Sequence, residues 1–259
     1  MIDVVVAGAT GKLGSLVCRL VEQQEDMRLV GAVVSSSGGH VGKEVTAGVM
    51  AVGPDRLVSA LSEADVYLDV TSPSAAEENL RIAVPTGVNC VIGTTGLNDS
   101  FVRELRDMFA GQGSSAVITA NFSLGVNLFW KQCEQIARAL PDYEVEIIEV
   151  HHDKKKDSPS GTALRAAQII SGATGVDKMV YGRQGMVGAR GREIGIHAVR
   201  MGDVVGEHTV IFAGNKERIE LTHRAHSREA FAEGSLAAIR YVAGRHDGQM
   251  HGMAEVLGI

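Results

Sequence analysis

Ile2-Asp3-Val4-Val5-Val6-Ala7-Gly8-Ala9-Thr10-Gly11-Lys12-Leu13-Gly14 opens the chain, and its reading decides the fold. Ile2 to Ala7 is a short apolar run of the kind found in strands buried on both faces. It leads straight into glycines spaced G-x-x-G-x-x-G, after which Leu13, Leu16, Val17, Leu20 and Val21 mark one face of a helix. A second strand is predicted from Met27 to Val34. This is a βαβ unit with glycines at its first turn, the layout of a dinucleotide-binding fold. Such turns also arise from helix–strand packing alone. Here the position between a buried strand and an amphipathic helix favours a cofactor, with Gly8 and Gly11 admitting a pyrophosphate and Gly14 allowing close helix packing.

The end of the second strand bears on cofactor choice. Sites selective for NAD place an acid there to hold the ribose hydroxyls. This chain has Ser35-Ser36-Ser37-Gly38-Gly39-His40, with no acid until Glu44. A 2′-phosphate meets no repelling carboxylate, so NADPH is expected to serve at least as well as NADH. The alternation then continues: a helix from Pro54 to Leu61, a strand from Asp65 to Thr71, and Ser74-Ala75-Ala76-Glu77 as a capping box opening a helix through Val84. A strand from Gly87 to Ile92 ends in Gly93-Thr94-Thr95-Gly96. A helix from Asp99 to Ala110 precedes a strand from Ser115 to Ala120, which ends at Asn121-Phe122-Ser123. Ligands of open α/β sheets lie at strand ends, so Gly93, Thr94, Thr95 and the segment Thr119, Ala120, Asn121, Phe122 are predicted to face the cofactor.

A second constellation follows: Val150-His151-His152-Asp153-Lys154-Lys155-Lys156-Asp157-Ser158-Pro159-Ser160-Gly161-Thr162-Ala163. The preceding Tyr143–Val150 segment reads as a strand. Ala163, Ala166, Ala167 and Ile170 recur at helical spacing, so a helix is predicted to begin near Gly161 or Thr162. A helix N-terminus offers unpaired N–H groups and the positive end of the macrodipole, which suits an anion. Ser160 and Thr162 add hydroxyls, Gly161 permits close approach, and His151 and Lys155 can each deliver a proton. A lysine run is commonly just a solvated surface. Adjacent histidines in a strand point to opposite faces and cannot readily chelate one ion, so no metal is expected.

At 259 residues the chain has room for one large or two modest domains. A net charge of −6 argues against general nucleic-acid binding, and makes Lys154–Lys156 a local positive feature suited to a small anion. Three separated cysteines, Cys18, Cys90 and Cys133, read as free thiols in a reducing cytoplasm. No apolar run approaches membrane-span length. Val126, Phe129, Trp130, Cys133, Ile136, Ala137 and Leu140 form a helical core stripe, after which the pattern turns strand-rich. Further strands are predicted at Ile194–Arg200, His208–Ala213 and Arg218–Ala225, the last two joined at Gly214-Asn215 as a hairpin. Gly182-Arg183-Gln184-Gly185 and Gly188-Ala189-Arg190-Gly191-Arg192 read as a flexible basic loop, preferably a solvated excursion. His197, His208, His223 and His226 read as sheet or surface histidines. Ser227 caps a last helix from Arg228 to about Ala243.

The fold class is therefore α/β: a Rossmann-type doubly wound parallel sheet with a second α+β domain carrying a mixed or open sheet. The expected division is residues 1–122, completed by 228–259, for the dinucleotide domain, and 123–227 for the second domain.

Glu149-Val150-His151-His152 through Lys155, Asp157 and Pro159-Ser160-Gly161-Thr162-Ala163 closely resemble the signature of the 4-hydroxy-tetrahydrodipicolinate reductase family. Gly8–Gly14, Val91-Ile92-Gly93-Thr94-Thr95-Gly96, Ala120-Asn121-Phe122-Ser123 and Arg200-Met201-Gly202-Asp203-Val204-Val205-Gly206-Glu207-His208-Thr209 resemble family blocks in family order, so the likeness spans the chain. It implies reduction of a cyclic dicarboxylate by NADPH or NADH on the diaminopimelate route to lysine. It implies His151 as proton donor or acceptor and Lys155 as proton donor, with His152, Ser160, Gly161 and Thr162 holding the substrate carboxylates. Gly8, Ala9, Thr10, Gly11, Lys12, Leu13, Gly93–Thr95 and Thr119–Phe122 would bind the nucleotide, and the assembly would be a homotetramer joined through the sheets of its substrate domains. Ser35 stands where many members carry an acid and Ser36 where some carry arginine. Two rivals are a non-catalytic dinucleotide-sensing regulator, which would need no proton donors, and another small-acid dehydrogenase on the same scaffold, such as one acting on an aspartate-derived aldehyde, which if thioester-forming would need a cysteine in an active-site loop.

Overall fold

In the computed structural model, which describes residues 1–46 and 48–259, the opening apolar run is β1 (Ile2–Ala7). Val4 and Val6 face one core while Val5 and Ala7 face another, all fully buried. Two-sided burial explains why the run shows no polar alternation. There follow α1 (Gly14–Glu22), β2 (Met27–Val33), β3 (Glu44–Thr46), β4 (Val49–Val52), α2 (Leu57–Ala60), β5 (Val66–Asp69), α3 (Pro73–Ala83), β6 (Asn89–Ile92), α4 (Asp99–Gln112) and β7 (Ala116–Ile118). After α5 (Leu124–Ala139) come β8 (Glu144–His151), α6 (Gly161–Thr174), β9 (Met179–Tyr181), β10 (Ile194–Arg200), β11 (Gly206–Gly214) and β12 (Glu217–Ala225). The chain ends with α7 (Glu229–Val242), β13 (Met250–His251) and α8 (Met253–Leu257).

Two compact units result: Met1–Leu124 with Glu229–Ile259, and Gly125–Arg228. The first holds an eight-stranded sheet in the order β13-β7-β6-β5-β1-β2-β4-β3, parallel except for the β3–β4 pair. One face is covered by α1 and α7, through Val17, Val21, Leu236 and Ile239. The other is covered by α2, α3 and α4, through Leu57, Leu80, Leu105 and Phe109. This is the doubly wound arrangement. Each such fully buried side chain contributes about 1.5–3 kcal/mol relative to exposure.

The second unit packs α5 and α6 on one face of a mixed five-stranded sheet, order β12-β11-β8-β10-β9. β8 runs parallel to β10 and antiparallel to β11. The β11–β12 hairpin turns at Asn215 and Lys216, both at positive φ, one residue beyond the expected Gly214-Asn215.

Several expectations need correction. Ser74 does not cap α3, because Pro73 already occupies the first helical turn, where its fixed φ is favourable, and Ser72 is the cap residue. Glu77 instead accepts from Asn98 Nδ2 at 3.0 Å. The helix expected from Pro54 to Leu61 is a 3₁₀ turn at Pro54–Arg56 followed by the short α2. β3, β4 and β9 are three or four residues long, too short to show a period, and were not foreseen. The 182–192 loop is largely exposed, as a solvated excursion should be, but Arg183 and Arg190 are anchored. Arg183 forks onto both oxygens of Glu146, at 3.2 and 2.9 Å, and Arg190 donates to Glu146 and to the carbonyls of Val145 and Glu193. Cys18, Cys90 and Cys133 are free and buried. Among the described residues no helix is long and apolar enough to cross a membrane.

Candidate active site

In the first unit, β1 ends and the chain turns at Gly8, whose φ of +83° suits glycine. A Cβ on Gly8 would lie 2.6 Å from the Val70 carbonyl oxygen. A Cβ on Gly14 would run into the Gly8 carbonyl, so α1 packs against the turn as expected. Gly11 N–H donates to Gly8 O at 2.8 Å and closes the turn. Thr10, Gly11 and Lys12 are exposed, Leu13 is half-buried and Ala9 is fully buried. α1 starts without a side-chain cap or an acid in its first turn, leaving its N-terminal amides for an anion. Beside it, Ser35 and Ser36 are exposed, and Ser35 Oγ accepts from Ser37 N–H at 3.3 Å.

The turns after β6 and β7 complete this end of the sheet. Gly93 cannot carry a Cβ because the Phe122 ring occupies its place. Thr95 is exposed, whereas Thr94 is buried and its hydroxyl donates to Asp69 at 2.7 Å. Thr119 Oγ accepts from Asn121 N–H at 3.1 Å, and Asn121 Oδ1 accepts from Ser123 N–H at 2.9 Å. Ala120 is exposed and Phe122 is buried.

In the second unit, side chains facing the helices form rows across paired strands. Val145, Ile194 and Phe212 make one row; Ile147, Ile196 and Val210 make the next. The third row is polar: Glu149, level with His208, which pairs with His223. The fourth sets His151 level with Arg200. The apolar face of the sheet thus ends in a group of ionisable side chains exactly one strand-period on from its core.

Glu149 is fully buried and organises the group. Its Oε2 lies 2.6 Å from His151 Nδ1, Arg200 donates to both its oxygens at 2.8 Å, and Ser160 N–H donates at 3.0 Å. Burial pushes its carboxyl up, but Arg200, His151 and the Ser160 amide outweigh this and hold it below the usual range. A carboxylate only accepts, so His151 Nδ1 carries the hydrogen and Nε2 is the basic nitrogen. That Nε2 lies 3.0 Å from where a Gly206 Cβ would be, so Gly206 leaves it room. Burial lowers the His151 pKa against the opposing pull of Glu149, with Lys155 and Arg200 adding to the lowering. The imidazole is held neutral, in one tautomer and one orientation.

His208 was not foreseen as part of the site. It is buried, lies edge-on to His151 with ring centres 5.2 Å apart, and meets Ser160 Oγ through Nε2 at 2.9 Å. Burial and the neighbouring His151 push its pKa down to about 3. Ser160 caps α6 by accepting from Ala163 N–H at 3.2 Å, and the helix begins at Gly161 as the sequence suggests. Gly161 opens the helix, and open space surrounds its Cβ position. The Thr162 carbonyl accepts from Trp130 Nε1 at 3.1 Å. His152 follows the end of β8, with its Nδ1 buried and unpartnered. Lys155 is partly buried and pairs with Asp157 at 2.9 Å, whose carbonyl is held by Arg200 at 2.7 Å. Lys154 and Lys156 are exposed. Among the described residues no cluster of His, Cys, Asp or Glu is arranged to hold a metal ion. Glu149 carried a readable signal, since an acid breaks the inward apolar set of Val145 and Ile147. Arg200 and His208 become partners only through sheet register.

Residues 2–122 match the family pattern described as dihydrodipicolinate reductase, N-terminus, and residues 125–257 match dihydrodipicolinate reductase, C-terminus. The chain belongs to the dihydrodipicolinate reductase family. The 4-hydroxy-tetrahydrodipicolinate reductase of Methanocaldococcus jannaschii is 48% identical, covering 100% of this chain and 98% of its own length. That of Methanothermobacter thermautotrophicus is 44% identical, with all of both chains covered. A dipicolinate-bound dihydrodipicolinate reductase from Paenisporosarcina sp. TG-14 superposes with a TM-score of 0.82 at 28% identity, covering 98% of this chain and 99% of that one. Family membership places a dinucleotide-binding unit and a reductase signature in one chain, in keeping with the glycine turn and the polar sheet end.

Proposed function

We propose that this chain reduces 4-hydroxy-tetrahydrodipicolinate to tetrahydrodipicolinate with NADPH or NADH, in the diaminopimelate route to lysine. The observation that carries this reading is the Glu149–His151 pair at 2.6 Å, which leaves one basic imidazole nitrogen near Lys155 and the N-terminus of α6. A sensor without chemistry needs neither a fixed tautomer nor a lysine there. All three thiols are buried and pushed up, the least suited state for a thioester-forming nucleophile.

The glycine turn fits a dinucleotide, since it follows β1 directly and leads into the uncapped, acid-free N-terminus of α1, where a pyrophosphate finds backbone amides. Gly8, Ala9, Thr10, Gly11, Lys12 and Leu13 hold it, with Ser35 and Ser36 beside the ribose and Gly93–Thr95 and Thr119–Phe122 toward the nicotinamide. When bound, the reduced nicotinamide supplies a hydride to the conjugated C=C/C=N system of the ring. The chain supplies the matching proton, from Lys155 or through His151, and where the ring bears a 4-hydroxyl, water leaves. His152, Ser160, Gly161 and Thr162 hold the two carboxylates, and the cationic loop offsets their charge.

Residues 1–122 with 228–259 serve the cofactor, and 123–227 serve substrate and assembly. The assembly is a homotetramer formed through the outer face of the five-stranded sheet, where Ile148, Val150 and Ile211 are half-buried and Val199 is exposed in the single chain. Three reduced thiols suit a cytoplasmic enzyme. The assay is NADPH consumption with freshly made dihydrodipicolinate synthase product. Binding of NADPH without consumption would overturn the reading, as would pyridine-2,6-dicarboxylate binding away from Ser160–Thr162 in a soaked crystal.

A further inference from the structure

We propose that Asp69 is a positioning residue for the cofactor, tying together the turns that hold it; this rests on the reading above that Gly8–Leu13 and Gly93–Thr95 hold the nucleotide. Asp69 ends the otherwise apolar β5, and the strand period puts it on the same face as Tyr67. It is fully buried, and among the described residues no lysine, arginine or histidine pairs with it. An ionised carboxylate is costly to bury without compensation.

Here five donors converge on it. Tyr67 Oη lies at 2.6 Å, Thr71 Oγ1 and Thr94 Oγ1 at 2.7 Å, Thr71 N at 3.1 Å and Asn79 Nδ2 at 3.4 Å. Thr71 N–H also donates to Thr94 Oγ1 at 2.9 Å. The Thr94 hydroxyl therefore accepts from the turn after β5 while donating to the carboxylate. The turn after β5 carries the Val70 carbonyl against which Gly8 packs. β6, β5 and β1 are neighbours in the sheet, so one carboxylate ties the loops after β5 and β6 together, and the turn after β1 packs against the first of them. Those are the ends where an open α/β sheet takes its ligand. A hydrophobic residue would fill the site without the desolvation cost but would tie nothing.

The test compares NADPH affinity by calorimetry in wild type, Asp69→Asn, Thr94→Val and Thr94→Ser, with pyridine-2,6-dicarboxylate affinity as the control. Asp69→Asn keeps the shape but turns an acceptor into a donor facing hydroxyls. We expect NADPH Kd to rise about tenfold or more in Asp69→Asn and Thr94→Val. Dicarboxylate Kd should stay within about twofold, as for independent sites, and Thr94→Ser should restore NADPH binding. Should Asp69→Asn not fold, Thr71→Val takes its place, since it removes a second donor to the carboxylate at a residue outside those assigned to the nucleotide. NADPH affinity within twofold of wild type in both disrupting variants would overturn the proposal, as would equal losses for both ligands. Amide hydrogen exchange of the wild type separates this from the underlying reading: no NADPH-dependent protection at residues 8–13 and 93–95 would sink the cofactor site itself, whatever the variants do.

Discussion

Arg200 grips Glu149 as a fork, with Nη1 and Nη2 each donating at 2.8 Å to a different oxygen of a carboxylate that water does not reach. The same carboxylate orients His151, so the pair links the stability of the second unit to its proton chemistry. Replacing the guanidinium leaves a buried charge without a counter-ion. Arg200→Met is expected to cost about 3–5 kcal/mol of stability. The double variant Arg200→Met/Glu149→Gln should recover part of that. Urea unfolding of the two proteins checks it, and a loss under about 0.5 kcal/mol for the single variant would contradict the account.

His208 gives the second unit a pH-dependent stability. Its pKa is pushed down to about 3 in the folded state, against roughly 6.5 when unfolded. The unfolded chain binds the proton more readily, so stability is intact above about pH 6.5 and drains away as pH falls toward 3. Glu149, whose carboxyl is lowered on folding, acts in the same sense but only below the ordinary carboxylate range near about 4.3. The loss between pH 6.5 and 4.5 should therefore shrink in His208→Gln. An unchanged slope in that variant would assign the effect elsewhere.

Removing either proton-handling side chain should cost turnover and, at Lys155, little else. Lys155→Ala is expected to lower kcat about a hundredfold or more, and His151→Gln by a comparable factor. The Lys155–Asp157 pair is open to solvent on the aspartate side, so its loss should change stability by under about 1 kcal/mol. Steady-state kinetics beside thermal melts reads both. A Lys155→Ala enzyme with near-normal turnover would remove the assignment.

Two glycines should respond in opposite ways to a single methyl group. At Gly14 the methyl meets backbone, the Gly8 carbonyl, which cannot step aside. Gly14→Ala should cost about 1–3 kcal/mol through overpacking and weaken NADPH binding. At Gly161 the methyl enters open space, so Gly161→Ala should fold normally and alter only the KM for the dicarboxylate. Equal melting temperatures for the two variants would refute the contrast.

The first unit was legible because its signals are local. The glycine turn at Gly8–Gly14, the helical stripe of Leu13 to Val21 and the two-faced strands each lie within one window of sequence. The motif around His151 was legible too, since the end of β8 and the Ser160 cap adjoin it. What escaped notice depends on register. Glu149 meets Arg200 across 51 residues, and Ser160 meets His208 across 48. Nothing in a strand's own period says which residue of another strand will stand level with it. The anchoring of the basic loop was hidden for the same reason, because the Glu146 that binds Arg183 and Arg190 lies one strand away.

β13 joins the first sheet beside β7, pairing Met250 with Ala116. The α7 residues Ala232, Leu236 and Ile239 share a core with Val4, Val6 and Val117. The first unit is thus translated in two instalments, with the whole second unit in between. A nascent chain that has just cleared residue 228 carries a sheet with one face covered by α1 alone, so ribosome stalling there would yield a chaperone client prone to aggregation, until residues 229–259 emerge and seal it.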